Sequence, residues 1–312
     1  MQTDSPWKEI LDQYFPDFTR MLFPELHASV EWSLGFKSLD KELARLGGGS
    51  RSGRSGNKGT LFVDKLMSVY GRDGKDMLVL VHVEIQAQTH DGFARRMFEY
   101  YTRIFSKHLT PVVSLAVLAD TDLNWRPSEY ELRFGGCRAR LDFPVAKLMD
   151  FRGRDEELLA SPNRFAIVVF AYLKARESEG DHDLMFEWKL ELSKRLSTKS
   201  EMEQVGLIQF FDALFPLPGE LDEHFWHTFS TSEEGRSMAY VTSLERISIK
   251  KGRLEAAQES ILEALEVRFG AVSPELRTRI DQITEVEACK SLHRRAISAA
   301  TLDDFAVQLE TG

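Results

Sequence analysis

A mixed α/β fold, with a sheet flanked by helices and followed by an α-helical C-terminal region, is predicted by three stretches of the sequence. "TLFVDKLMSVY" (60–70) and "MLVLVHVEIQ" (77–86) alternate in the manner of strands and are separated by the turn signal "GRDGKD". An amphipathic helix, "GFARRMFEYYTRIFSKH" (92–108), is followed by an apolar run, "PVVSLAVLAD" (111–120). From about Arg164 onward nearly every periodic segment repeats at helical spacing.

Composition sets the outer limits. The 312 residues are 43% hydrophobic and 29% charged, as in a soluble globular protein of one large domain or two smaller ones. The start, "MQTDSPWKEI", lacks a basic n-region and an apolar h-region, so no secretory signal is expected. No uncharged apolar run approaches the roughly 18 residues a membrane helix needs. Cys137 and Cys289 are too few and too distant for a disulfide framework or a zinc site. A cytoplasmic location without membrane contact is the expectation. The net charge of −9 excludes DNA binding by bulk electrostatics; a nucleic-acid role would need a local basic patch.

Along the chain, residues 5–30 place Trp7, Ile10, Leu11 and Phe15 at helical spacing. "SLDKELARL" (38–46) is a second short helix, its stripe Leu39, Leu43 and Leu46, with Asp40 and Glu42 off that stripe. Residues 47–60, "GGGSRSGRSGNKGT", form a flexible loop. This loop lacks the Gly-Lys-Ser/Thr ending of a phosphate-binding loop, reading Asn57-Lys58-Gly59-Thr60 instead. Its Arg51, Arg54 and Lys58 either keep it solvated or make it a basic flap for a phosphate backbone. The two strands that follow pair as an antiparallel hairpin. If Tyr70 faces Leu78, then Ser68 faces Leu80, Leu66 faces His82 and Asp64 faces Glu84.

Within the helix at 92–108, Phe93, Met97, Tyr100, Tyr101, Ile104 and Phe105 make the apolar stripe, and a right-handed crossover leads to the strand at 111–120. "YELRFGGCRARLDFPVAKLMDF" (130–151) adds one or two strands at the sheet edge. "FAIVVFAYL" is compatible with strand or helix. Further on, Leu254, Ala257, Ile261, Leu262, Leu265 and Phe269 share one helical stripe that Gly270 caps. Ser273 with Pro274 starts another helix, and Thr301 with Asp304 forms a capping box. The expected division is an α/β domain over 1–155, a mainly helical region over 156–250 and a small helical region over 251–312.

The chemistry lies in "LVHVEIQ". Glu84 and Gln86 share one strand face, and the hairpin allows Asp64 to stand opposite Glu84, although the sequence does not fix the register. Two facing carboxylates repel, so a shared proton, a cation or solvent must offset them. Oxygen donors at strand ends suit a hard cation such as Mg²⁺, which takes one or two carboxylates plus substrate phosphate oxygens. Water held there is a nucleophile candidate for phosphodiester hydrolysis, and Gln86 would orient it or hydrogen-bond a phosphate. Spacing alone favours solvated carboxylates, the commoner state of a single Asp and Glu at strand ends. His82 reads as a packing or surface residue, and Arg95 and Arg96 as a solvated helix face or phosphate contacts.

Asp64, then Glu84-Ile85-Gln86, then a helix with Arg96-Met97 and Tyr100, resembles the PD-(D/E)XK nuclease superfamily. Within it the chain is similar to the bacterial recombination-promoting nuclease (Rpn/YhgA-like) transposase family, through "LDKEL", "VDKL", "VHVEIQ", "RMFEYYTRIF" and "PVVSLAVLAD" in that order. "YVTSLERISIKKG" and "LEVRFG" resemble the helical C-terminal region attached to many of its members. The resemblance implies a restriction-endonuclease-like core in which Asp64 and Glu84 hold the metal, assisted by the carbonyl of Ile85. Glu42 matches an acidic residue of the first helix. Gln86 stands where the E-x-K signature has lysine, so a dipole replaces a positive charge.

The implied activity is a DNA endonuclease dependent on Mg²⁺, with Mn²⁺ as substitute. Its catalytic residues would be Asp64, Glu84, Gln86 and Glu42, and its DNA contacts Arg95, Arg96, Arg51, Arg54 and Lys58. The helical C-terminal region would serve interaction, regulation or homo-oligomer formation. The rival expectation is a nuclease-derived fold that binds DNA or protein without cutting. A third is a helical adaptor driven by residues 185–312.

Overall fold

The computed structural model describes residues 6–40, 43, 62–72, 77–197, 199–238, 254–255, 257–270, 272–283, 286–299, 301–302 and 304–305; for 62–64 it describes the backbone alone. Glu42, Arg51, Arg54, Lys58, the rest of the 47–60 loop and "YVTSLERISIKKG" lie outside the described residues. Two compact units are present, Met1–Glu234 and Gly235–Gly312.

The first unit is mixed α/β. Its N-terminal helix α1 (Pro6–Leu22) buries Trp7, Ile10, Leu11, Tyr14, Phe15 and Phe18. Pro16 removes an amide donor inside α1, and the helix kinks at Tyr14 (φ −119°, ψ 23°). The expected helix over 5–30 is in fact two, because Pro24 forces Phe23 out of helical geometry before α2 (Pro24–Ser29) begins.

Five strands form the main sheet in the order β1-β2-β3-β4-β7: β1 (Lys37–Ser38), β2 (Phe62–Tyr70), β3 (Leu78–Gln86), β4 (Val112–Leu118) and β7 (Val145–Lys147). Strands β2 and β3 pair antiparallel with Tyr70 opposite Leu78, Ser68 opposite Leu80, Leu66 opposite His82 and Asp64 opposite Glu84, the one register considered above among those the sequence leaves open. Strand β4 joins β3 in parallel, with α3 (Phe93–His108) as the crossover, and β7 joins β4 in parallel.

Helix α3 packs on the sheet face that carries Leu66, Leu80, Ala116 and Leu118, burying Phe93, Met97, Tyr100 and Ile104. Each such large side chain contributes roughly 1.5–3 kcal/mol. Phe105, expected on this stripe, is 45% exposed instead. It lies one residue past Ile104, and the 100° step per residue carries it beyond the contact.

The segment 130–151 divides its roles. Only β7 reaches the edge of the main sheet, while β5 (Glu129–Phe134) and β6 (Cys137–Asp142) form a separate hairpin. One face of that hairpin carries a charged ladder, Arg140 on Glu129 and Arg138 on Glu131, which favours solvent over burial between layers. Its turn uses Gly135 and Gly136, both at positive φ (55° and 82°) as a two-residue hairpin requires.

The helices after residue 155 share this unit instead of forming a region of their own: α4 (Asp155–Ala160), α5 (Ala166–Glu177), α6 (His182–Lys194), α7 (Glu201–Leu214) and α8 (Gly219–Thr231). "FAIVVFAYL" supplies α5, whose residues Val168 to Ala175 are all buried, which explains its lack of a readable period. Helix α1 is the common partner: Trp7 packs edge-on against Phe210 and beside Tyr172, and Asp17 pairs with Arg164 at 2.9 Å.

The second unit packs Ile261, Leu262, Leu265, Leu276, Ile280, Cys289, Ala296 and Phe305 into its own core. Its caps follow the expected chemistry. Gly270 sits at φ 86°, Ser273 accepts from the Leu276 amide, and Thr301 and Asp304 exchange backbone–side-chain hydrogen bonds. Among the described residues no helix is long and apolar enough to cross a membrane.

Candidate functional site

Three register rows cross the sheet beneath α3. Leu66, His82 and Ser114 form one; Asp64, Glu84, Ala116 and Val145 the next; Phe62, Gln86, Leu118 and Lys147 the third. Side chains in neighbouring rows two residues apart share a face, so His82, Glu84 and Gln86 all point toward α3. All three are fully buried. The polar end of this strand is therefore part of the interior, and every charge on it needs a partner.

Arg96 is the partner found. From the first turn of α3 its Nη2 lies 2.6 Å from Glu84 Oε1 and donates to Gln86 Oε1 at 2.6 Å. Its side chain remains 21% exposed, so the pair lies at the boundary between core and solvent. Gln86 is fixed at both ends, since its Nε2 donates to the Gln88 carbonyl at 2.5 Å. This orientation follows from chemistry: guanidinium and backbone carbonyl cannot exchange donor and acceptor roles. A lysine at position 86 would set a second cation against Arg96, whereas glutamine offers the oxygen that Arg96 needs. Gln86 thus anchors an arginine.

His82 completes the row. Its ring stacks at a tilt on Tyr100, centroids 4.9 Å apart, and its Nε2 stands 3.6 Å from Glu84 Oε2. Neither ring nitrogen makes a hydrogen bond among the described residues. The packing alternative for His82 holds; the surface alternative does not.

Asp64 is placed by its backbone directly across from Glu84, as the hairpin register predicts. Ile85 lies in the ladder between Val63 and Val117 with its side chain on the far face, so only its backbone could serve a cation. Asp40, the helical first residue of "DKEL", accepts from the Leu66 amide at 3.2 Å and from Lys65 Nζ at 2.7 Å. Lys65 also reaches Asp12 of α1 at 2.6 Å, so the chain beside Asp64 is pinned from two sides. The two helix arginines part company: Arg95 is exposed and pairs with Glu99 at 2.9 Å, while Arg96 turns inward instead of lining a solvated face. One signal for this was present in the sequence, because Arg96 lies four residues before Tyr100, beside the buried stripe.

Around Glu84 lie its own carboxylate, the Gln86 amide oxygen and the His82 Nε2 at 3.6 Å, with the Asp64 position opposite. Oxygen donors fit a hard divalent cation, and Arg96 demonstrates that the place accepts positive charge. Among the described residues no group of three or more His, Cys, Asp or Glu side chains gathers around a common point. A Mg²⁺ site needs no such cage, since water and substrate phosphate complete its shell. The residues therefore fit the cation that the resemblance implies. No family model, curated protein or solved structure matches the chain.

Proposed function

We propose that this protein is a metal-dependent DNA endonuclease of the PD-(D/E)XK class, with Glu84 at its centre and Mg²⁺ as its cation. The observation that carries the reading is the antiparallel register that sets Asp64 across from a fully buried Glu84 on the face bearing Gln86 and Arg96. Burying a carboxylate costs several kcal/mol unless a cation offsets it, and such sites concentrate where chemistry is done. A divalent cation at this place would supply an activated water at neutral pH and stabilise charge developing on phosphate. Glu84 and Asp64 would hold it, with the Ile85 carbonyl as a further donor, and Gln86 would steady Arg96 toward the phosphodiester. Arg95, exposed on the first turn of α3, would contact the DNA backbone, as would Arg51, Arg54 and Lys58. Glu42 would add an acidic group. The C-terminal helices would serve interaction or oligomer formation.

A second reading has one observation in its favour: Arg96 already engages both Glu84 and Gln86. On that reading the fold binds DNA or protein without cutting. Purified protein incubated with supercoiled plasmid and Mg²⁺ or Mn²⁺ separates the two. The nuclease reading expects nicking by wild type and loss of nicking in Asp64→Ala and Glu84→Ala. Nicking by both variants at the wild-type rate would refute the site, and plasmid retention without nicking by wild type would favour the binding module.

A further inference from the structure

We propose that Arg96 is a built-in counter-ion which competes with a divalent cation for Glu84, and which the cation frees to meet the scissile phosphate. The inference rests on the reading that Glu84 binds a divalent cation. Three facts carry it. Glu84 is fully buried, so its charge requires a permanent partner whenever no other cation is present. Arg96 supplies that partner at 2.6 Å, and an arginine cannot leave by losing its proton, so it must leave by moving. It has room to do so, because its side chain is 21% exposed and extends from the first turn of a helix at the sheet end.

Gln86 makes the movement directional. Its amide nitrogen is tied to the Gln88 carbonyl, so its oxygen stays facing Arg96. When Glu84 Oε1 is taken by another cation, the guanidinium keeps Gln86 as a hinge point and swings away from the strand carboxylate. A guanidinium presents a planar fork suited to a phosphodiester oxygen pair. In this arrangement the positive charge that lysine would carry on the strand is carried by Arg96 on the helix. The E-x-Q sequence is then matched to its arginine, since a lysine at 86 would repel it.

Competition of this kind is reciprocal: whatever Arg96 loses to the cation, the cation loses to Arg96. Removing Arg96 must therefore tighten cation binding even if it impairs turnover. Calorimetric titration of the full chain with Mn²⁺, without DNA, reads this directly. Arg96→Gln is expected to lower the dissociation constant on the order of ten-fold. Arg96→Lys keeps the charge but loses the fork, and its constant is expected to fall between the two. Glu84→Gln is expected to abolish binding. An unchanged or weaker constant in Arg96→Gln, with wild type binding and Glu84→Gln not, would overturn the inference and leave the nuclease reading intact. Absence of binding by wild type would overturn both. Should Arg96→Gln fail the circular-dichroism check for folding, Arg96→Lys decides: tighter binding than wild type supports the competition, and unchanged or weaker binding refutes it.

Discussion

Glu84 and Arg96 illustrate how far single residues can be read ahead of a structure. The period of two in "LVHVEIQ" and the turn signal before it allow Asp64 to face Glu84 without fixing it, because a one-residue slip would pair other residues; the structure selects the register in which they face. Arg96 is a different matter. Whether a helix arginine points to solvent or to a strand depends on how the helix is rotated on the sheet, and that is set by tertiary packing of Phe93, Met97 and Ile104. Buried tyrosines lend the residue scale a pH test. Tyr172, whose hydroxyl donates to the Ala119 carbonyl at the end of β4, is pushed up to about 12 by burial. A tyrosine raised in this way stabilises the fold below the unfolded value near 10 and loses that contribution as pH climbs to about 12. Denaturant titrations should accordingly show stability falling between pH 10 and 12, by roughly one kcal/mol less in Tyr172→Phe than in wild type at pH 11. Equal losses in both proteins would mean that Tyr172 contributes nothing to the alkaline transition.

Elements were readable where their signal is local. Caps at Gly270, Ser273 and Thr301 depend on hydrogen bonds within four residues, so they follow from the sequence directly. Helix α5 carries no such signal, since apolar residues on all sides give neither period. The hairpin of β5 and β6 could be identified as strands but not located, because its charged ladder excludes it from the main sheet only once the sheet is assembled. Strand β7 is held by chemistry more than by length. Its three residues end at Lys147, fully buried, whose Nζ contacts Asp120 Oδ1 at 2.7 Å and the carbonyls of Asp122 and Trp125. Truncation to Lys147→Ala strands the buried Asp120 and should cost about 3–5 kcal/mol. A thermal unfolding midpoint within a degree of wild type would show that this pair does not secure the sheet edge.

At the scale of the molecule, the division after Glu234 falls in "STSEEGRS", whose Ser and Gly residues are too few to read as a linker and which includes a helical turn, Glu233–Ser237. Nothing in the periodicity reveals that α1 packs on both β2 and the later helices, through Trp7 with Phe210 and Asp17 with Arg164. That shared helix explains why the sheet and the helices to residue 231 form one unit. A chain ending at residue 234 should unfold cooperatively with native-like circular dichroism, whereas one ending at 155 should aggregate, having exposed the faces of Trp7 and Phe18. Soluble, cooperative folding of the shorter chain would contradict that arrangement. The net charge of −9 acts at the same scale, confining any DNA contact to local arginines and making it strongly salt-dependent.

The proposed function converges on one carboxylate, Glu84. Glu84→Gln preserves shape and removes only the charge, so its effect on the Mg²⁺-dependent nicking rate of supercoiled plasmid tests the central claim most directly. A fall on the order of 100-fold or more, with the thermal midpoint within a few degrees of wild type, is the predicted result. Nicking by Glu84→Gln at the wild-type rate would contradict it.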